Sequence, residues 1–271
     1  MNQPDPMAEP TTRRMPAKPS LHATRILFWR ESRAIAYSPA SHLVAAIFMV
    51  LQGIAFVYAL RPFTEAPQQR GLVEAFFQGP MFWIPFFALF PLLTMRLFAE
   101  EQKLGTMEML LTAPVRVRHV VMGKFLATTV FFMVLWLPAI FAFLIYPVIL
   151  RQPPMHLPDT LWCALAMVFS MGLMNLAVGC LASALTTSQI GAGILTFGLL
   201  MLHFLFGHLP LRLGEMVEPM QRFFQYTHSD QHLRDAAAGL WDTRPHVYYL
   251  SAAAFILAVT GYALNSRRWQ S

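Results

Sequence analysis

Long apolar runs separated by short polar breaks dominate the chain. Six runs are long enough to cross a hydrocarbon core as helices, at about 20 residues each: Leu43–Leu60, Phe76–Met95, Val120–Tyr146, Leu161–Leu185, Ile190–Phe206 and Val247–Leu264. The third is long enough to tilt or to run past the bilayer, and Pro138 inside it predicts a kink, because proline removes a helix hydrogen bond. Ahead of the first run, residues 20–37 (SLHATRILFWRESRAIAY) interleave Ile26, Leu27, Phe28, Trp29 and Ile35 with Arg25, Arg30 and Arg33 and stop before Pro39. This pattern predicts an amphipathic helix over 20–38, lying in the membrane interface with arginines snorkelling toward phosphate and Trp29 at headgroup level; a solvated linker is the plainer alternative. Residues 1–19 carry five prolines and little to bury, which predicts a disordered tail. Residues 207–246 are of mixed polarity and predict short outer helices, interfacial or re-entrant. The expected fold is therefore an all-α integral membrane protein: six transmembrane helices over 39–271, an N-terminal amphipathic interfacial helix, and short outer helices before the last span.

Composition agrees with this pattern: 56% of residues are hydrophobic and 13% charged, with a mean hydropathy of +0.48, against roughly 25% charge in soluble domains. The first long run starts past residue 40 and is too long for a cleavable signal, so none is expected. The net charge of +6 does not imply nucleic acid, because basic residues in such a chain mark the loops on the cytoplasmic side. With the N-terminus inside, that side holds Arg13, Arg14, Lys18, Arg25, Arg30, Arg33, Arg96, Lys103, Arg116, Arg118, Lys124, Arg267 and Arg268, thirteen of the twenty Lys and Arg residues. Both termini are thus expected in the cytoplasm.

Few side chains in the spans suggest chemistry. Cys163 and Cys180, the two cysteines, lie about 25 Å apart along one helix, too far to bridge, and suit packing. Gln52, Asn175 and His203 are best explained as hydrogen-bonding between helices. Asn175, Gly179 and Ser183 recur every fourth residue on the fourth span, a stripe that fits either packing inside the chain or a dimer seam. No phosphate cradle of the form GxxxxGK[ST] occurs, since Gly123-Lys124 has Arg118 where the first glycine belongs, so any ATP hydrolysis is expected elsewhere. His228, Asp230 and His232 are metal-ligand types, but on a helix Asp230 would point away from the two histidines, so no metal site is expected. A GxSxG serine is likewise absent from the sequence.

The most charged break is FAEEQKLGTMEMLLTAPVRVRH, residues 98–119, between the second and third runs. Gly105 is suited to end an extension of the second span, and Thr106 to cap a short helix MEMLL with Glu108 in its first turn. Pro114 is placed to start the next helix, whose Arg116, Arg118 and Lys124 would face an anionic leaflet. Such a knob is either an ordinary loop or a docking surface for a soluble partner.

The stretch PLLTMRLFAEEQKLGTMEMLLTAPVRVRHVVMGKFLA, residues 91–127, closely resembles the segment between the second and third spans of ABC-2 type transporter permeases. Residues 232–269, with Gly239-x-x-Asp242-Thr243-Arg244 and a closing Arg267-Arg268-Trp269, resemble the last span of the gliding-motility-type members of that family. The resemblance implies a permease subunit in a bacterial cytoplasmic (inner) membrane, an exporter in function, paired with a second permease as a homo- or heterodimer. ATP and Mg would bind a separate ABC ATPase subunit, and no cofactor would bind this chain. It also implies that Glu100, Glu101, Gly105, Thr106 and Glu108 receive the ATPase while Leu110, Leu111 and Pro114 shape the element. Two other readings stay open at the level of sequence: a membrane scaffold or motility component that moves no solute, and a metal-dependent membrane enzyme.

Overall fold

A computed structural model describes residues 20–65, 71–106, 116–150, 157–208, 224 and 226–267. The described residues are nearly all helical, without strands. The helices are α1 (Ser20–Tyr37), α2 (Pro39–Glu65), α3 (Leu72–Gln78), α4 (Pro80–Thr94), α5 (Ala99–Lys103), α6 (Val117–Leu135), α7 (Leu137–Leu150), α8 (Leu157–Leu185), α9 (Gln189–His208), α10 (Ser229–Ala237) and α11 (Thr243–Arg267). Among the described residues, six helical stretches are long and apolar enough to span a membrane: Pro39–Arg61, Pro80–Lys103, Val117–Val148, Asp159–Leu185, Gln189–His208 and Thr243–Ser266. The disordered tail expected over 1–19 lies outside the described residues.

Prolines and glycines set the boundaries. The sequence predicts one span from Phe76, but the backbone is extended at Gly79 (φ −68°, ψ 143°) and separates α3 from α4. Pro80 lacks an amide hydrogen and drives the residue before it out of the helical region, so Phe76 and Phe77 belong to a helix of their own. The third span breaks at Trp136, two residues before Pro138, as the kink requires. At the last span, Gly239 ends the preceding turn with φ +86°, which favours glycine. Asp242 Oδ1 then accepts the Arg244 amide at 2.9 Å, so the Gly-x-x-Asp-Thr-Arg step is a helix-starting device.

The fourth span, within α8, is the hub. It packs against α3, α4, α5, α6, α9, α10 and α11, and 72% of its most apolar stretch is buried, against 22% for the first, fifth and sixth spans. The exposed apolar faces of those three spans, among them Ile54, Val57, Ile194, Leu202 and Phe255, must therefore meet lipid or another chain, because water would not tolerate them. The core between the spans is aromatic. Successive ring contacts run from Phe143 to Phe76 (5.2 Å), on to Phe82 (6.0 Å), Phe86 (5.2 Å), Phe90 (5.0 Å) and Phe132 (5.5 Å), edge-to-face at Phe143–Phe76 and Phe86–Phe90, stacked at Phe82–Phe86 and tilted at the other two. His203 Nε2 meets the Tyr248 hydroxyl at 3.0 Å, the interhelical bond expected of it, whereas the buried Gln52 amide has no hydrogen-bond partner among the described residues.

Candidate functional site

The second span does not continue straight into the break after it. α4 ends at Thr94, Met95 N–H still reaching back to the Pro91 carbonyl (2.9 Å), and the chain turns through residues 95–98 before α5 begins. A helix start has amides without intrahelical partners, and here the partner comes from α8. Ser183 Oγ accepts the amides of Phe98 (3.0 Å) and Ala99 (3.1 Å) and donates to the Met95 carbonyl (3.4 Å). Gln102 Nε2 donates to the Ala184 carbonyl at 2.9 Å, closing an orphan acceptor at the end of α8. The elbow is therefore bolted to the hub helix by two side chains. α5 is stopped two residues past its end by Gly105, whose φ of +69° lies in the left-handed region, and Thr106 Oγ1 donates back to the Glu101 carbonyl at 3.3 Å.

A second attachment is electrostatic. Lys124 of α6 is 4% exposed and places Nζ 3.0 Å from Glu101 Oε1 and 3.3 Å from Glu31 Oε2 of α1. Arg30 pairs with Glu31 at 2.6 Å and stands 4.0 Å from Glu101. Two cations and two carboxylates thus neutralise one another across three helices, and the Lys124 ammonium also lies 5.7 Å from the Phe98 ring centroid. Glu101 Oε2 is buried with no hydrogen-bond partner among the described residues. α1 reaches this position because Gly123 lets it approach α6: a methyl there would sit 2.8 Å from Leu27 Cβ and 3.3 Å from the Phe28 amide nitrogen. Beside the cluster a cleft of about 430 Å³ opens between α1, α2, the end of α4 and α6, with Glu31, Arg96, Glu100, Glu101 and Lys124 on its wall.

The expected site residues fall as follows. Glu100, Glu101, Gly105 and Thr106 gather on the elbow, Glu101 turned inward and Lys103, Leu104, Gly105 and Thr106 outward. Glu108, Leu110, Leu111 and Pro114 lie outside the described residues. Arg25, Trp29, Arg30 and Arg33 are exposed along α1, and Arg116 is exposed before α6 and Arg118 on it. Lys124 departs from expectation: the sequence groups it with Arg116 and Arg118 toward the leaflet, but it is buried, because it occupies the face of α6 covered by α1 and α5. Asn175, Gly179 and Ser183 are buried inside the chain; a methyl on Gly179 would collide with Thr94 of α4, and Ser183 is the elbow cap already described. Sequence reasoning missed Glu31, Gln102 and Lys124 as partners of the elbow. The available signal was a lone lysine inside the apolar run VVMGKFLATTV, which needs a buried counter-charge.

At the opposite end of the bundle two histidines are engaged by neighbouring hydroxyls. His232 Nδ1 faces the Tyr249 hydroxyl at 3.0 Å, and burial, then the nearby His228, push its pKa down to about 4. His246 Nδ1 meets Ser170 Oγ at 2.7 Å.

The described residues thus form a nearly all-helical bundle with six membrane-length helices and an elbow fastened to the central one, the architecture of a multi-pass membrane protein. The family model for ABC-2 family transporter protein matches residues 25–264, and the chain belongs to that family, as the permease subunit of an ABC transporter rather than a catalytic subunit. No curated protein matches it.

Proposed function

We propose that this permease is the translocating half of an exporter in a bacterial inner membrane, that it works as a dimer, and that separate ATPase subunits drive it through the elbow. The observation that carries the proposal is the fastening of α5 to three helices at once: Ser183 and Gln102 tie it to α8, and Lys124 ties it to α6 and α1. A force on α5 is therefore delivered to the hub of the bundle instead of being absorbed by a loose loop, which suits a rigid-body switch between two states. The outward residues Lys103 and Leu104, the latter 67% exposed, supply a charged and apolar surface for the ATPase, while Glu101 belongs to the transmission inside. ATP and Mg act on the partner. The excess of Lys and Arg near the elbow end supports a cytoplasmic position for it and for both termini, and the likeness of residues 232–269 supports a gliding-motility-type member.

A pull-down from mildly solubilised membranes tests this. Wild type is expected to retain an ABC ATPase, a Lys103→Glu, Leu104→Asp variant to lose it, and Ser183→Ala to retain it while losing stimulation of ATP hydrolysis. Absence of any ATPase from wild type, or equal retention by the Lys103/Leu104 variant, would overturn the proposal.

A further inference from the structure

The end of the bundle away from the elbow holds a donor set that the linear sequence conceals. His208 is the last residue of α9, His228 stands just before α10, and Asp230 lies in its first turn. Ligand atoms of these three side chains all lie within 4.8 Å of one another. The helical-spacing objection to pairing Asp230 with a histidine fails here, because His228 is a non-helical cap (φ −77°, ψ 85°) and its direction is not that of a helix residue. The two strands of chain meet closely: a methyl on Gly207 would lie 2.8 Å from the His228 Cα.

Each donor is prepared by its surroundings. His208 Nδ1 lies 2.9 Å from the Phe204 carbonyl, which can only accept, so Nδ1 holds the proton and Nε2 keeps its lone pair, the arrangement a backbone carbonyl imposes on a metal-binding histidine. His228 Nε2 is buried with no hydrogen-bond partner among the described residues, and its ring sits 4.5 Å from that of His208. Asp230 Oδ2 is held by Arg234 at 2.6 Å, which orients the carboxylate and leaves Oδ1 available. Among the described residues, His203, His232 and His246 are engaged by Tyr248, Tyr249 and Ser170 respectively.

The geometry points to a site for a first-row divalent transition ion, held by His208, His228 and Asp230 and clipping the end of the fifth span to the outer helix. Two imidazoles and one carboxylate suit zinc or cobalt, with a further position open to water, and not the all-oxygen shells of magnesium or calcium. Metal–ligand bonds of about 2.0–2.1 Å put tetrahedral donors about 3.4 Å apart, so with all donor atoms within 4.8 Å no pair has to close by more than about 1.4 Å, within reach of side-chain rotation.

The test uses the full chain, purified in detergent with a tag free of histidine, stripped by chelator and titrated with Co²⁺ while the visible ligand-field band is followed. One equivalent is expected to bind, with a band bleached by Zn²⁺. The band should be lost in His208→Gln and in Asp230→Asn and kept in His232→Phe, with gel filtration showing each variant folded. A wild type without the band, a band surviving in both His208→Gln and Asp230→Asn, or its loss in a folded His232→Phe would each overturn the assignment.

Discussion

Ser183→Ala isolates the elbow's attachment to the hub. The residue is fully buried, and its oxygen accepts the amides of Phe98 and Ala99 at 3.0 and 3.1 Å. Alanine leaves both donors without an acceptor at a helix start that has no side-chain cap of its own. Loss of a cap costs about 0.5–2 kcal/mol and a stranded buried donor about 1–3 kcal/mol, so the elbow is expected to lose about 2–4 kcal/mol of local stability. At about 1.4 kcal/mol per tenfold, the lower figure means roughly 30-fold faster opening-limited exchange of the 98 and 99 amides. Hydrogen exchange read by mass spectrometry on a peptide spanning the elbow measures this directly. Ser188→Ala is the comparison, since Ser188 caps only the exposed Gly191 amide at 3.3 Å and should leave the elbow unchanged. Exchange at 98 and 99 within about twofold of wild type in Ser183→Ala would refute the claim that Ser183 fastens the elbow.

Lys124→Met removes the cation between Glu101 and Glu31 and leaves two carboxylates facing each other; stranding a partly buried pair costs about 3–5 kcal/mol, a fall in melting temperature on the order of 10 °C for a chain of this size. Adding Glu101→Leu should restore most of it, because Arg30 still holds Glu31 at 2.6 Å; no recovery in the double variant would argue against the cluster. Gly123→Ala forces α1 off α6 and should cost about 1–3 kcal/mol. Faster tryptic cleavage at Arg25, Arg30 and Arg33 checks it, and an unchanged digestion pattern would mean that α1 is not seated through this glycine.

Much of the elbow was readable as a place and little of it as a mechanism. The break at 98–119 is conspicuous between two apolar runs, and Gly105 ends its helix as its residue type suggests. Glu101, by contrast, reads as an exposed acid meant for a partner, whereas its pairing depends on Lys124, 23 positions later, and on α1 lying across both. Asn175, Gly179 and Ser183 read equally well as a seam between chains, and only the seating of Thr94 and the 95–99 turn against them decides for the interior.

Hydrophobic run length by itself determined the membrane class, the six spans and the Pro138 break, because the bilayer imposes a length and proline a missing hydrogen bond that no packing alters. Spacing along the chain also set which residues share a helix face. What only the tertiary structure decided is which faces meet: that a serine of the fourth span caps the elbow, that an apparently lipid-facing lysine is an internal counter-ion, and that His208 joins His228 and Asp230 while His232 does not. Such partners are tens of residues apart and are chosen by helix packing, whose energy depends on the fit of whole surfaces and not on local pattern.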